Sequence, residues 1–140
     1  MSEAEQPPVH AREEQSAHYA VFSRKWVAEG ADVHVKEFTL GVGEEVPWHH
    51  HSEVFDVFYC IEGRMRIERQ DVFSGARPAD FALAVGDSAK VEPGTAHRVS
   101  NPGPGRLRFV IIQGVGQYDF IPHPAPRGRR PRAAAGGGES

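Results

Sequence analysis

Residues Gly43 to Gly63 read GEEVPWHHHSEVFDVFYCIEG, with three consecutive histidines, His49, His50 and His51, at the centre of the stretch. Successive side chains of a β-strand point to opposite faces, so His49 and His51 share a face and His50 looks the other way. Two imidazoles about 7 Å apart along one strand hold a divalent metal if their rings tilt together and further ligands arrive from elsewhere in the fold. Asp56 follows five residues after His51 and opens the run DVFYCIEG. Far downstream, GDSAKVEPGTAHRVSN carries His97. Together these residues supply three imidazoles and one carboxylate.

Outward from this stretch the chain reads as short strands separated by turns. Ala20–Trp26 and Val33–Leu40 (VHVKEFTL) precede it, the second rich in β-branched and aromatic residues and closed by Gly41 and Gly43. His34 lies in that strand and reads as a solvent-facing histidine beside Lys36, with a fourth metal ligand as the other reading. Asp56–Ile61 alternates Asp56, Phe58 and Cys60 with Val57, Tyr59 and Ile61. Both faces are largely apolar, which predicts a strand covered on two sides, the outer side by another sheet or by a second subunit. Glu62-Gly63 reads as the tight turn of a hairpin into Arg64–Arg69, with Met65 and Ile67 inward.

Residues 70–80 read as a loop, followed by a short apolar run at Phe81–Val85. Pro93-Gly94 is a turn, since proline presets φ and glycine accepts positive φ. Thr95–Val99 starts a strand with His97 and Val99 on one face, NPGPG at 101–105 is a second turn, and Arg106–Gln113 is the last clear strand. Gly116–Pro124 is placed to lay Tyr118, Phe120 and Ile121 over the barrel's edge. Phe58, Cys60, Met65, Val99 and one face of Arg106–Gln113 are expected inside, with Cys60 a buried small hydrophobe.

Composition bounds the function classes. A chain of 140 residues makes one domain. A formal net charge of −3 gives no whole-molecule reason to expect a nucleic-acid partner. One cysteine allows no internal disulfide, and neither a secretory signal nor a membrane-spanning apolar run is visible, so a cytoplasmic protein is expected. Residues 1–18 read as a flexible arm, 19–122 as the folded domain, and 123–140 as a disordered tail containing Arg127, Arg129, Arg130 and Arg132.

The spacing of Gly43, His49, His51, Asp56 and Gly63, followed by Gly86, Pro93-Gly94, His97 and Asn101, resembles the two motifs of the cupin superfamily, in particular its small single-domain, conserved-barrel members. The resemblance implies an all-β fold, a single cupin β-barrel (double-stranded β-helix, or jelly roll) whose ligands converge inside the mouth. It implies one divalent transition metal per chain (Fe, Mn, Ni, Co or Zn), with His49, His51 and His97 as ligands. Two departures stand out: Asp56 occupies the place of the usual glutamate, and the second motif's proline is displaced by one, to Pro93, with Glu92 in its place. One methylene fewer withdraws the Asp56 carboxylate by roughly 1 to 1.5 Å. Asp56 then ligates after a backbone shift, hydrogen-bonds a ligand imidazole or a metal-bound water, or does neither. The activities implied are those of a dioxygenase, isomerase or polyketide cyclase on a small-molecule substrate, the alternative being a non-catalytic binding or regulatory module. The apolar Val57, Tyr59 and Ile61 face points to a homodimer.

Overall fold

The computed structural model describes residues 21–127, together with a short antiparallel pairing of Ala133–Ala135 with Gly137–Glu139. The expected arm at 1–18 lies outside the described residues, as do Arg129, Arg130 and Arg132 of the expected tail. Between 21 and 127 the chain forms ten strands and no helix: β1 (Ser23–Glu29), β2 (His34–Leu40), β3 (Glu45–His50), β4 (Phe55–Glu62), β5 (Met65–Asp71), β6 (Phe81–Leu83), β7 (Ser88–Val91), β8 (Thr95–Ser100), β9 (Leu107–Gly114) and β10 (Ile121–Pro122). Among the described residues no helix is long and apolar enough to cross a membrane.

The strands make two five-stranded sheets, ordered β1-β2-β9-β4-β7 and β10-β3-β8-β5-β6. Every pairing within them is antiparallel. Alternation along each strand decides which side chains meet between the sheets. The first sheet contributes Phe38 and Leu40 of β2, Phe58 and Cys60 of β4, and Leu107, Phe109 and Ile111 of β9. The second contributes Val46, Val99, Met65 and Ile67. Phe38 and Phe109 stack with centroids 5.2 Å apart, and Phe58 closes on Phe109 at 5.9 Å, so aromatic burial anchors the core. This is the all-β, two-sheet barrel that the strand pattern predicts.

Asn101 fixes the NPGPG corner. Its side-chain amide donates to the carbonyls of Leu40 and Gly105, both at 3.0 Å, and its oxygen accepts from the Gly103 N–H at 2.8 Å. The asparagine of the second motif therefore holds architecture.

Two expectations are corrected and a third is narrowed. The Glu62-Gly63 turn does not make a hairpin: β4 pairs with β7 and β9, whereas β5 pairs with β6 and β8 in the other sheet. Alternation of side chains is the same whether a tight turn stays within a sheet or carries the chain across the core, so period alone could not distinguish them. Of the two covers expected for the outer face of β4, no other sheet of the described chain supplies one, Tyr59 being 44% exposed and Ile61 39%, and the second, another subunit, stands. Lys36 points inward and is buried, and His34 is half-buried against Trp26 instead of facing solvent. The chain also keeps contact with the barrel past residue 122: the His123 N–H donates to the Trp48 carbonyl, and its ring lies 2.9 Å from the Gln70 side-chain oxygen.

Candidate metal centre

The second sheet supplies the imidazoles. His49 on β3 and His97 on β8 are direct cross-strand partners, with ring centroids 4.4 Å apart. A register irregularity between Val46 and His49 re-aims the end of β3, and His51 follows just beyond the strand with its ring 4.9 Å from that of His49. The Pro93-Gly94 turn braces His51 from below. Gly94 has φ +79°, and its N–H donates to the His51 carbonyl at 2.9 Å. His50 faces away, as the strand period requires, with its ring 5.9 Å from that of His123.

The first sheet supplies the carboxylate. Asp56 on β4 sits between β9 and β7, opposite Gln113 and Val91. One carboxylate oxygen lies 2.8 Å from His97 Nε2 and 3.2 Å from His51 Nε2, and the other accepts from Gln113 Nε2 at 3.1 Å. His49, His51, Asp56 and His97 are all buried, with one potential ligand atom each and all four atoms within 4.8 Å of one another. This group can hold a metal ion.

Whether these residues fit a metal is decided by the orientation of the rings. Each histidine directs Nδ1 to a backbone carbonyl: His49 to Pro47 at 2.7 Å, His97 to Thr95 at 3.0 Å, and His51 to Asp119. A neutral imidazole donating from Nδ1 presents the lone pair of Nε2, and here Nε2 of His51 and His97 faces the shared carboxylate. Ligands bonded to a common ion at 2.0–2.2 Å stand about 3 to 3.5 Å from one another. The contacts of Asp56 with His97 and His51, at 2.8 and 3.2 Å, lie near that range. Three nitrogens and one oxygen form a donor set suited to Fe, Mn, Co, Ni or Zn.

The electrostatics are those of a site arranged around a charge. Burial alone would raise the Asp56 carboxyl, but the hydrogen bonds of His51 and His97 hold it well below the usual carboxylate range. Burial pulls His51 down, and the hydrogen bond and charge of Asp56 overcome it, leaving His51 raised. His49 is pushed well below the ordinary histidine value by burial and then by the charges of His97 and His51. Both effects favour its neutral form.

Several residues of the site carry no motif. Gln113 holds the second carboxylate oxygen of Asp56; the only hint in RLRFVIIQ is that the fourth inward position is polar after Leu107, Phe109 and Ile111. Asp119 turns its carbonyl to His51 and its carboxylate to the Ser52 N–H and hydroxyl, at 2.9 and 2.5 Å. Phe120 stacks on His49 at 4.3 Å, and Tyr118 approaches His51 at 5.4 Å. The segment expected to cover the edge thus closes the mouth of the site. His34 stands outside the ligand group, its ring between Trp26 at 4.9 Å and Tyr118 at 5.7 Å. A cavity remains beside the donors, lined also by Lys36, Gln113, Tyr118 and Phe120.

Solved structures with this architecture are numerous. An uncharacterized conserved protein with a double-stranded β-helix domain from Klebsiella pneumoniae subsp. pneumoniae MGH 78578 is 26% identical, with a TM-score of 0.61 over 77% of this chain and 87% of that one. A cupin-2 domain containing protein from Shewanella frigidimarina NCIMB 400 is 22% identical, with a TM-score of 0.53 over 68% of this chain and 82% of that one. An oxalate decarboxylase of Bacillus subtilis, as its S161A mutant, is 19% identical with a TM-score of 0.64. That alignment covers 78% of this chain but only 30% of the decarboxylase, and it shows the fold alone. No protein of curated function matches the sequence. Residues 36–113, more than half of the chain, match the Cupin domain family, and they run from the inward lysine of β2 to the glutamine that holds Asp56. With both motifs, the two-sheet barrel and this match in agreement, the chain belongs to the cupin family.

Proposed function

We propose that this cupin is a metal-dependent enzyme. It holds one divalent transition metal (Fe, Mn, Co, Ni or Zn) through Nε2 of His49, His51 and His97 and a carboxylate oxygen of Asp56. It acts on a small oxygenated substrate, of the enol, phenol, diketone or sugar type, in a reaction of dioxygenase, isomerase or polyketide-cyclase kind. The carrying observation is the set of three Nδ1-to-carbonyl hydrogen bonds, which leave Nε2 as the ligating nitrogen of each ring beside the buried Asp56 carboxylate. When bound, such an ion supplies Lewis acidity toward a substrate oxygen and, for a redox-active metal, electron exchange. The chain's own residues do the rest. Gln113 fixes the rotation of the Asp56 carboxylate, the Asp119 carbonyl fixes His51, and Phe120 and Tyr118 exclude water from the mouth.

The small cavity beside the donors also suits a binding module that retains a ligand without turning it over. Metal analysis of purified protein, followed by oxygen-uptake and isomerisation assays with catechol-like and diketone compounds, separates the two readings. The enzyme reading requires about one metal per chain and turnover that disappears on chelation. Tight ligand binding by metal-loaded protein without turnover of any of these substrates supports the binding module.

The small-molecule reading extends to assembly as a homodimer. On the outer face of the first sheet, Val35, Ile112 and Val57 are cross-strand neighbours, as are Val110 and Tyr59, with Ile61 beside them. Apolar area of this kind, with Tyr59 and Ile61 exposed in the single chain, favours self-association through a two-fold axis. Light scattering is expected to give twice the chain mass at micromolar concentration, and Tyr59→Asp is expected to give the monomer. A monomeric wild type would refute the interface.

A further inference from the structure

Residues 115–123 leave the end of β9 and rest on the histidine segment almost one residue at a time. The His123 N–H donates to the Trp48 carbonyl at 3.1 Å, Pro122 and Ile121 pair with His49 and His50, and Phe120 stacks on His49. The Asp119 carbonyl accepts from His51 Nδ1, the Asp119 carboxylate accepts from the Ser52 N–H and hydroxyl, and the Glu53 carboxylate accepts from the Gln117 N–H at 3.0 Å. Every residue from Trp48 to Glu53 therefore meets this strap, and His49 and His51 among them belong to the candidate metal group.

A second observation concerns how the strap is held. None of residues 115–123 belongs to the buried hydrophobic cluster between the sheets, and Val115, Gln117, Ile121 and Pro122 are exposed. Gly116, at φ +122°, makes the bend between β9 and the strap, a backbone conformation that residues with a Cβ rarely adopt. A segment tied down by partly exposed hydrogen bonds and ring contacts opens at far lower free energy than strands locked into the core. The strap can thus leave the barrel while the two sheets stay intact.

We propose that closure of the strap and occupancy of the metal centre are reciprocally coupled, with Asp119 as the positioning residue that couples them, an inference that rests on the metal reading above. The two bonds from the Asp119 carboxylate to Ser52 fix the backbone at 119, and that backbone sets the carbonyl against His51 Nδ1. With Nδ1 so engaged, the His51 ring is held with Nε2 toward the other donors, and an outer partner that orients a ligating imidazole strengthens metal binding. An open strap lacks this hydrogen bond. Closure therefore raises metal affinity, and by linkage the bound metal raises the closed population by the same factor. The strap then covers an occupied site and opens more readily over an empty one.

The test compares amide hydrogen exchange in full-length protein, metal-free and loaded with Co(II), its cobalt content measured first. In wild type the peptide spanning 115–123 is expected to exchange about tenfold or more slowly when loaded, the order of coupling usual between two sites, and to slow more than the peptide of β1. Asp119→Ala should speed exchange of the strap and weaken cobalt binding by about tenfold, whereas Asp119→Asn, which keeps an oxygen acceptor for Ser52, should recover most of both. A residue that served stability alone would lower the melting temperature of metal-free protein and leave cobalt affinity unchanged, and that result in folded Asp119→Ala overturns the role of Asp119. A strap that slows no more than β1 in cobalt-replete wild type overturns the coupling, and it does so even if Asp119→Ala fails to fold. Failure of wild type to retain cobalt overturns the metal reading, and this proposal with it.

Discussion

The His97→Ala protein is expected to lose most of its bound metal while the barrel persists. His97 is the cross-strand partner of His49 and the closest imidazole to Asp56, at 2.8 Å, so its removal opens the ligand set at the middle. Outer partners of metal ligands already cost about 10- to 100-fold in affinity when mutated, and a direct ligand costs more. Metal content measured after desalting should therefore fall from about one per chain to a small fraction, with His49→Ala and His51→Ala behaving alike. The control is His50→Ala, whose ring faces His123 and whose loss should leave metal content unchanged.

The largest stability effect is expected at Gly63. This residue has φ +83°, and a Cβ placed there would overlap the backbone carbonyl of Arg106, which cannot swing aside as a side chain would. Positive φ on a residue with a Cβ costs of the order of 1 kcal/mol or more, and the steric overlap adds to it. Gly63→Ala should lose about 3 kcal/mol or more, read as a fall of about 10 °C or more in melting temperature. Gly43, also at positive φ but with open space around its Cβ position, should lose distinctly less on the same substitution. Equal effects at the two glycines would show that conformation alone, and not the contact with Arg106, governs the corner.

That corner marks the limit of what the sequence discloses. Period-two patterning located Met65 and Ile67 inside and found every long strand to within a few residues, because burial of alternate side chains leaves its trace in the residue types themselves. It could not show that Glu62-Gly63 leaves one sheet for the other, since the pairing partners of β4 and β5 are fixed by distant strands. In the site, the histidine spacing was legible because two candidate ligands share one short segment and the third lies in a recognisable turn-strand motif. That the Asp56 carboxylate lies within 3.2 Å of two of the imidazoles was not, because this depends on the position of β4 between β7 and β9. Gln113 and Asp119 escaped for the same reason: their roles come from where the last strand and the segment after it return to the barrel mouth. Lys36 reads as a surface residue by its chemistry, and only the cross-strand register with Trp26 turns it inward.

The central claim is that four side chains from two sheets surround one metal. X-ray absorption at the metal edge of the loaded protein addresses it most directly. The proposed site predicts three imidazole nitrogens and carboxylate oxygen in a first shell near 2.0–2.2 Å, with the imidazole contribution reduced to two rings in His97→Ala loaded at excess metal and the oxygen contribution reduced in Asp56→Leu. A first shell of oxygens alone, or one unchanged by both substitutions, would contradict it.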